Sequence, residues 1–202
     1  MSTSVEPARA SVDGGPPPGG GAALSRSRFR STRESEARIL LLIDEFSRTA
    51  RGLPRLLEGR VKLAKLDFLL RYPRHLRRVL EHRDVPEKDL LSLDIDDAPL
   101  DSRMMRYRYG PWDPAYYSVL GSLIGRGLVE ISSLPKGKGL GYRTTEAGAG
   151  VALTLRKDES FFEVSNRLKL LKRHLDKTGS TLKAYLYELP EVSDANWFEE
   201  IS

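Results

Sequence analysis

The chain contains no cysteine, which excludes disulfides, thiolate zinc sites and cysteine nucleophiles together. It has only three histidines, His75, His82 and His174. They are scattered, and none has a carboxylate at ligand spacing beside it, so no metal site is expected. Long apolar runs are also missing. The longest uncharged one is Ile39–Ile43, against the ~20 residues of a membrane span. The N-terminus offers no apolar core of the kind a signal peptide needs. These absences predict a soluble, cytoplasmic protein that does not engage a membrane. Two near-motifs fail on detail. GKGLG resembles a phosphate loop only in composition, because its glycines fall between two predicted strands and do not open a helix. Asp94, Asp96, Asp97 and Asp101 lack the glycine and the terminal glutamate of a calcium hand. No Ser-His-Asp spacing suggests a triad. Neither an enzyme nor a cofactor is expected.

What is present is charge in blocks. The 202 residues carry a net +5. Between Arg51 and Arg83, ten Lys/Arg face three Asp/Glu; between Asp84 and Asp101, seven Asp/Glu face one Lys. Such adjacent blocks of opposite sign suit contacts with charged partners.

Composition and period divide the chain into five stretches. Residues 1–31, with GGPPPGGG, have no apolar period and read as a disordered tail. Residues 32–83 read as an N-terminal helical region. A first helix is predicted from Thr32 to Gly52, buried on more than one side because Leu40 and Leu41 widen its apolar face. A second runs over Leu57–Tyr72, broken by Pro73, with a short continuation through Leu76, Val79 and Leu80. The polar face, with Arg60, Lys62, Lys65, Arg71, Arg74, Arg77, Arg78 and Arg83, is expected to be solvated, with a binding face as the alternative. Residues 84–101 read as an acidic linker with a short edge strand at LSLDIDD. Residues 102–156 carry strand, helix, strand, basic glycine loop, strand. Residues 157–202 read as a C-terminal helical module, with Phe161, Phe162, Val164, Leu168, Leu171 and Leu175 inward and a short helix stopped by Pro190.

The middle stretch predicts a winged helix. RMMRYRYGPWDP, from Arg103 to Pro114, alternates as its first strand and ends in a turn, with Asp113 as N-cap and Pro114 at the first helical position. Alternation puts Arg106 and Arg108 on the face opposite Met105, Tyr107 and Tyr109, which predicts an apolar core face and a solvated arginine edge. Ala115–Arg126 is the recognition-type helix, ended by Gly127. LVEIS and YRTT form the hairpin, LPKGKGLG is the wing, and Thr145 caps the next helix. The expected class is therefore α+β, mainly helical, with a winged-helix core and flanking N-terminal and C-terminal helices.

Two kinds of binding remain open. Lys136, Lys138 and Arg143 of the wing, with Arg74, Arg77 and Arg78 of the basic helix, suit non-specific DNA backbone contact. Major-groove reading is disfavoured, because the recognition-type helix offers only Tyr117, Ser118, Ser122 and a distal Arg126 as polar groups. Arg106, Arg108, Trp112, Tyr116 and Trp197 are of the types enriched in protein interfaces.

KLDFLLRYP, RMMRYRYGPWDPAYYSVLGSLIGRGLVEI, GYRTTEAG and SNRLKLLKRHLDKTGSTLKAYLYELPEV together resemble the middle component of ABC-three component systems, the accessory subunit of Lamassu-type anti-phage defence. The resemblance spans about Lys62 to Ile201. It implies a non-enzymatic subunit that joins an SMC/Rad50-like ABC ATPase to an effector, often a nuclease, in antiviral or anti-plasmid defence. The alternative is a winged-helix DNA-binding transcription regulator.

Overall fold

The computed structural model describes residues 31–49, 51–52, 54–93, 104–135 and 139–201. Almost all of the expected tail, most of the LSLDIDD strand, and Lys136 and Lys138 lie outside these residues. The described protein is α+β and mainly helical, with two small antiparallel sheets.

Helix α1 (Arg33–Phe46) starts at a reciprocal cap: Ser35 N donates to Thr32 Oγ1 at 3.0 Å and Thr32 N to Ser35 Oγ at 2.9 Å. Residues Ile39–Ile43 are all buried, as a helix covered on several sides requires. The helix ends well before Gly52. The chain reverses there, with Arg55 N bonded to Ser47 O at 2.8 Å and Arg48 bridged to Pro54. Leu57, expected in a helix, lies instead in strand β1 (Leu57–Glu58). Gly59, at φ +67°, then makes a turn few other residues adopt, into α2 (Gly59–Arg71). Pro73 breaks the helix as expected and opens α3 (Pro73–Glu81). Part of the expected linker is helical: α4 (Glu87–Leu91) is held by Asp89, which accepts from Arg173 at 3.0 Å and contacts His174 at 2.8 Å.

Within RMMRYRYGPWDP, residues 105–112 form a hairpin. Strands β2 (Met105–Tyr107) and β3 (Gly110–Trp112) pair Met105 with Trp112 and Tyr107 with Gly110 around Arg108-Tyr109. The expected single strand with a GPWDP turn is corrected accordingly. This hairpin forms its own sheet. The second sheet has the order β1-β5-β4, where β4 (Val129–Ser133) and β5 (Leu140–Thr144) follow α5 (Tyr116–Gly125). Leu57 and Ile131 flank Tyr142 across it. Gly127 ends α5 at φ +69°, and Thr145 Oγ1 accepts from Gly148 N at 3.0 Å to cap α6 (Glu146–Leu155). Gly148 is obligatory for packing, since a Cβ there would stand 1.9 Å from Leu128 O.

Asp158 caps a short 3-10 turn before α7 (Phe162–Leu175). That start sets the phase so that Val164, Leu168, Leu171 and Leu175 face inward while Phe162, expected inside, is exposed. Helix α8 (Gly179–Leu186) follows, and Pro190 begins α9 (Pro190–Ser193) as well as stopping its predecessor. One apolar cluster runs from α1 through α2, α3, α5, α7 and α8 to Ile201. No described helix is long and apolar enough to cross a membrane.

Candidate functional site

Beneath the hairpin lies a buried polar network. Asp67, in the apolar run of α2, accepts from Arg38 Nε at 2.8 Å, from Arg71 Nε at 2.8 Å and from the Tyr116 hydroxyl at 2.7 Å. Arg71 also donates to Asp113 Oδ2 at 2.7 Å, and Asp113 Oδ1 accepts from Ala115 N at 2.8 Å. Burial raises the Asp67 carboxyl pKa, and the charges of Arg38 and Arg71 more than reverse this, holding it below the ordinary carboxylate range. Burial, then the Asp67 charge, pushes the Tyr116 phenol far up, so it stays a neutral donor. The network ties α1, α2 and the start of α5 together in the interior. Its arginines are paired and its carboxylates hydrogen-bonded, the condition under which buried charge is tolerated.

The polar face of α2 is therefore not solvated as expected. Arg71, Lys62 and Lys65 are all buried. Lys65 Nζ donates to Gly179 O at 3.0 Å, and burial together with nearby Lys183 brings its amine down to about 8.

The hairpin turns its faces the opposite way from the expectation. Arg106 points inward, lies over the Tyr187 ring at 4.8 Å and donates to Tyr107 O. Met105 and Tyr107 face outward with Trp112. This outward face is one wall of a groove of about 510 Å³ lined by Val61, Tyr107, Tyr109, Trp112, Tyr117 and Phe198 among others, with Arg60 as the one charged residue among the described lining. Trp112 stands edge-on to Tyr116 at 5.3 Å and to Tyr117 at 5.9 Å, so it couples the groove to the network below. Tyr117 and Phe198 are 61% and 62% exposed. Phe198 sits at φ +67°, a backbone cost of about 1–3 kcal/mol for a bulky residue. Its ring stands edge-on to Tyr107 at 5.8 Å. The exposed aromatic rings and the strained Phe198 backbone make this face the candidate site of the molecule.

The C-terminal segment closes the outer edge of β2. Arg106 N donates to Glu199 O at 2.7 Å, Phe198 N to Arg106 O at 2.8 Å and Ile201 N to Met104 O at 2.8 Å. Ile201 is the buried anchor; Trp197 stays 63% exposed.

The expected interaction residues thus separate. Arg108, Trp112 and Trp197 reach the surface, Trp112 only partly, whereas Tyr116 and Arg106 are interior. Tyr116 is corrected because its hydroxyl serves Asp67, and Arg106 because its guanidinium packs against Tyr187. Three of the expected DNA-contacting arginines have acidic partners within the chain. Arg77 pairs with Glu81 at 2.8 Å, Arg78 with Glu191 at 2.5 Å, and Arg143 with Glu130 across the β4–β5 hairpin. Arg74 is exposed on α3. Among the described residues, no group of three or more His, Asp or Glu side chains is placed to hold a metal ion. Sequence reasoning missed Arg38, Asp67 and Arg71 as a unit. The available signal was an acid set inside LDFLL with an arginine four residues on. No family model matches the chain, and no curated protein or solved structure matches it either.

Proposed function

We propose that the protein is a non-catalytic accessory subunit that joins an SMC/Rad50-like ABC ATPase to an effector, a nuclease, in a cytoplasmic anti-phage or anti-plasmid complex. The observation that carries the partner-binding part is the outward aromatic face of the β2–β3 hairpin. A strand pair that buries an arginine and exposes Tyr107 and Tyr109 is built to be covered by something else. The ATPase and the effector come from the resemblance of the same segment, RMMRYRYGPWDP, to the middle component of such systems.

A winged helix is part of this reading. Its support is the strand order β1-β5-β4 with α1 before β1, α2 after it and α5 before the β4–β5 hairpin. On this assignment residues 72–115 are an insertion between the second and third helices, and the hairpin belongs to the insertion. The rival, a transcription regulator, uses the same topology. It is disfavoured by the outward side of α5, where Tyr117, Gly121 and Gly125 are exposed and Arg126 pairs with Glu36 at 2.7 Å. That face lacks the Arg, Asn or Gln of direct base readout.

Co-expression with the products of neighbouring genes tests the reading. The expected result is a complex containing an SMC-like ATPase and a nuclease that survives purification. An isolated gene beside an operator, or a pull-down without any ATPase, overturns it. Sequence-specific DNA binding that resists competitor would favour the rival.

A further inference from the structure

The groove has a charge signature that narrows its occupant. Arg60 lies over the Tyr117 ring at 4.7 Å and Arg108 over the Tyr109 ring at 5.4 Å. Both arginines are exposed, and neither has a carboxylate partner among the described residues. Several other surface arginines are matched, Arg78 with Glu191, Arg83 with Glu188, Arg126 with Glu36, Arg156 with Asp44 and Glu45, and Arg173 with Asp89, although Arg33 and Arg51 are not among the described residues. No carboxylate lines the groove among the described residues. The cavity is thus apolar and aromatic in its walls and carries two uncompensated cations at its aromatic rings.

Its geometry narrows the mode of binding. The outer edge of β2 is already paired with residues 198–201, and β3 contains Pro111, which has no N–H to donate. Strand addition is therefore blocked at the hairpin, and recognition has to proceed through side chains in the groove. Its volume falls among pockets of about 300–1,000 Å³ that take small ligands. Single-stranded nucleic acid also stacks on aromatic rings, but it needs a continuous positive track for its backbone. Here Arg77 and Arg78 of α3, and Arg83 just after it, are taken up in ion pairs with Glu81, Glu191 and Glu188.

We propose that the groove takes an extended acidic segment of a partner protein. An apolar or aromatic side chain of that segment lies against the exposed Trp112–Tyr117 pair, and carboxylates on either side of it meet Arg60 and Arg108. This rests on the reading of the groove as a partner surface and adds the chemistry of what it accepts. Carboxylate pairing to arginines held over rings is favourable because the ring already restricts the guanidinium and part of its desolvation is done.

The test uses the full chain as bait for a displayed library of random peptides of about twelve residues, long enough to span such a groove. Selected peptides are expected to concentrate Asp and Glu around an aromatic or aliphatic residue. Affinity of the best synthesised peptide should fall about tenfold or more in the Arg60→Glu/Arg108→Glu double variant, where attraction becomes repulsion. It should fall similarly in Tyr117→Ala and be unchanged in Lys169→Glu, an exposed change on α7. Unfolding curves of each variant establish that folding is intact. Selection of peptides without acids, or binding indifferent to the double reversal, overturns the proposal. So does binding of oligothymidylate that Tyr117→Ala abolishes, which would make the groove a nucleic-acid platform. A dimer seen by light scattering and dissolved by Tyr117→Ala would make a second copy the occupant and also overturn it. The outcome is separable from the assembly reading. Peptide binding with no ATPase co-purified removes only the assembly, and an ATPase complex that forms equally well in the double variant, with no acidic peptide selected, removes only this inference.

Discussion

Tyr116 is 1% exposed and gives its hydroxyl to Asp67; Tyr117, the next residue, is 61% exposed and carries Arg60 over its ring. The same division runs through the hairpin, where Arg106 is buried and Arg108 is not. Two adjacent regions, one charged and closed and one aromatic and open, therefore reverse the usual rule of apolar inside and polar outside. The reversal has a physical source. In the closed region Asp67, Arg71 and Asp113 satisfy one another, and under the hairpin Tyr187 gives the Arg106 guanidinium a ring to lie against. Aromatic rings displaced to the outside retain an unfavourable contact with water of about 25 cal/mol per Å², which a partner can relieve.

The largest effect should come from the closed region. Asp67→Ala leaves Arg38 and Arg71 without their shared acceptor, and unfolding by denaturant is expected to show a loss of about 3–5 kcal/mol. Acid should do the same reversibly. The folded pKa of Asp67 lies below its unfolded value of about 3.9, so its contribution is complete above about pH 4 to 5 and is lost as pH falls through the folded value. Melting followed across that window should show the loss in the native chain and a shallower one in Asp67→Ala.

Between the two tyrosines the contrast is sharper. Tyr116→Phe removes a hydrogen bond to a buried carboxylate and should cost about 1.5–3 kcal/mol, whereas Tyr117→Phe should change stability by less than about 0.5 kcal/mol. Equal costs, in paired denaturation curves, would erase the distinction between the regions. A smaller version applies to the arginines. Arg106→Ala should destabilise by about 1–2 kcal/mol through lost packing and a lost hydrogen bond, and Arg108→Ala should be neutral within about 0.5 kcal/mol.

The smallest effect belongs to Lys65. Its amine titrates near 8 when folded and at 10.5 ordinarily. The unfolded chain binds more protons between these values, so stability should rise modestly as pH climbs from about 8 to about 10.5. A pH series on Lys65→Met should lack that rise.

The legible part of the fold was local. Gly127 and Thr145 each stand at a helix end as read, because capping depends on a few neighbouring atoms, whereas Asp113, read as the N-cap of α5, instead bonds Ala115 N in a turn before the helix begins at Tyr116. The apolar face of α5 was equally readable from its period. Illegible were the features set by distant partners. Alternation in RMMRYRY states that arginine and aromatic residues oppose each other, but it carries no sign, and the inward arginine packs against Tyr187 far along the chain. Likewise the basic character of α3 and the residues just after it said nothing of Glu191 and Glu188, which pair with Arg78 and Arg83. In the candidate site, Trp112 and Arg108 were identified by residue type, while Arg60, Tyr117 and Phe198 joined them only through tertiary packing.

The pairing of Leu57 with Tyr142 bears on how the chain is made. During synthesis α1 and β1 leave the ribosome long before β5 exists, so Ile39–Ile43, apolar on every side, waits without its cover. Closing the sheet then needs a contact between residues far apart in sequence, which slows folding. Yield of native protein should therefore depend on holdase chaperones and on translation pace more than its modest size suggests.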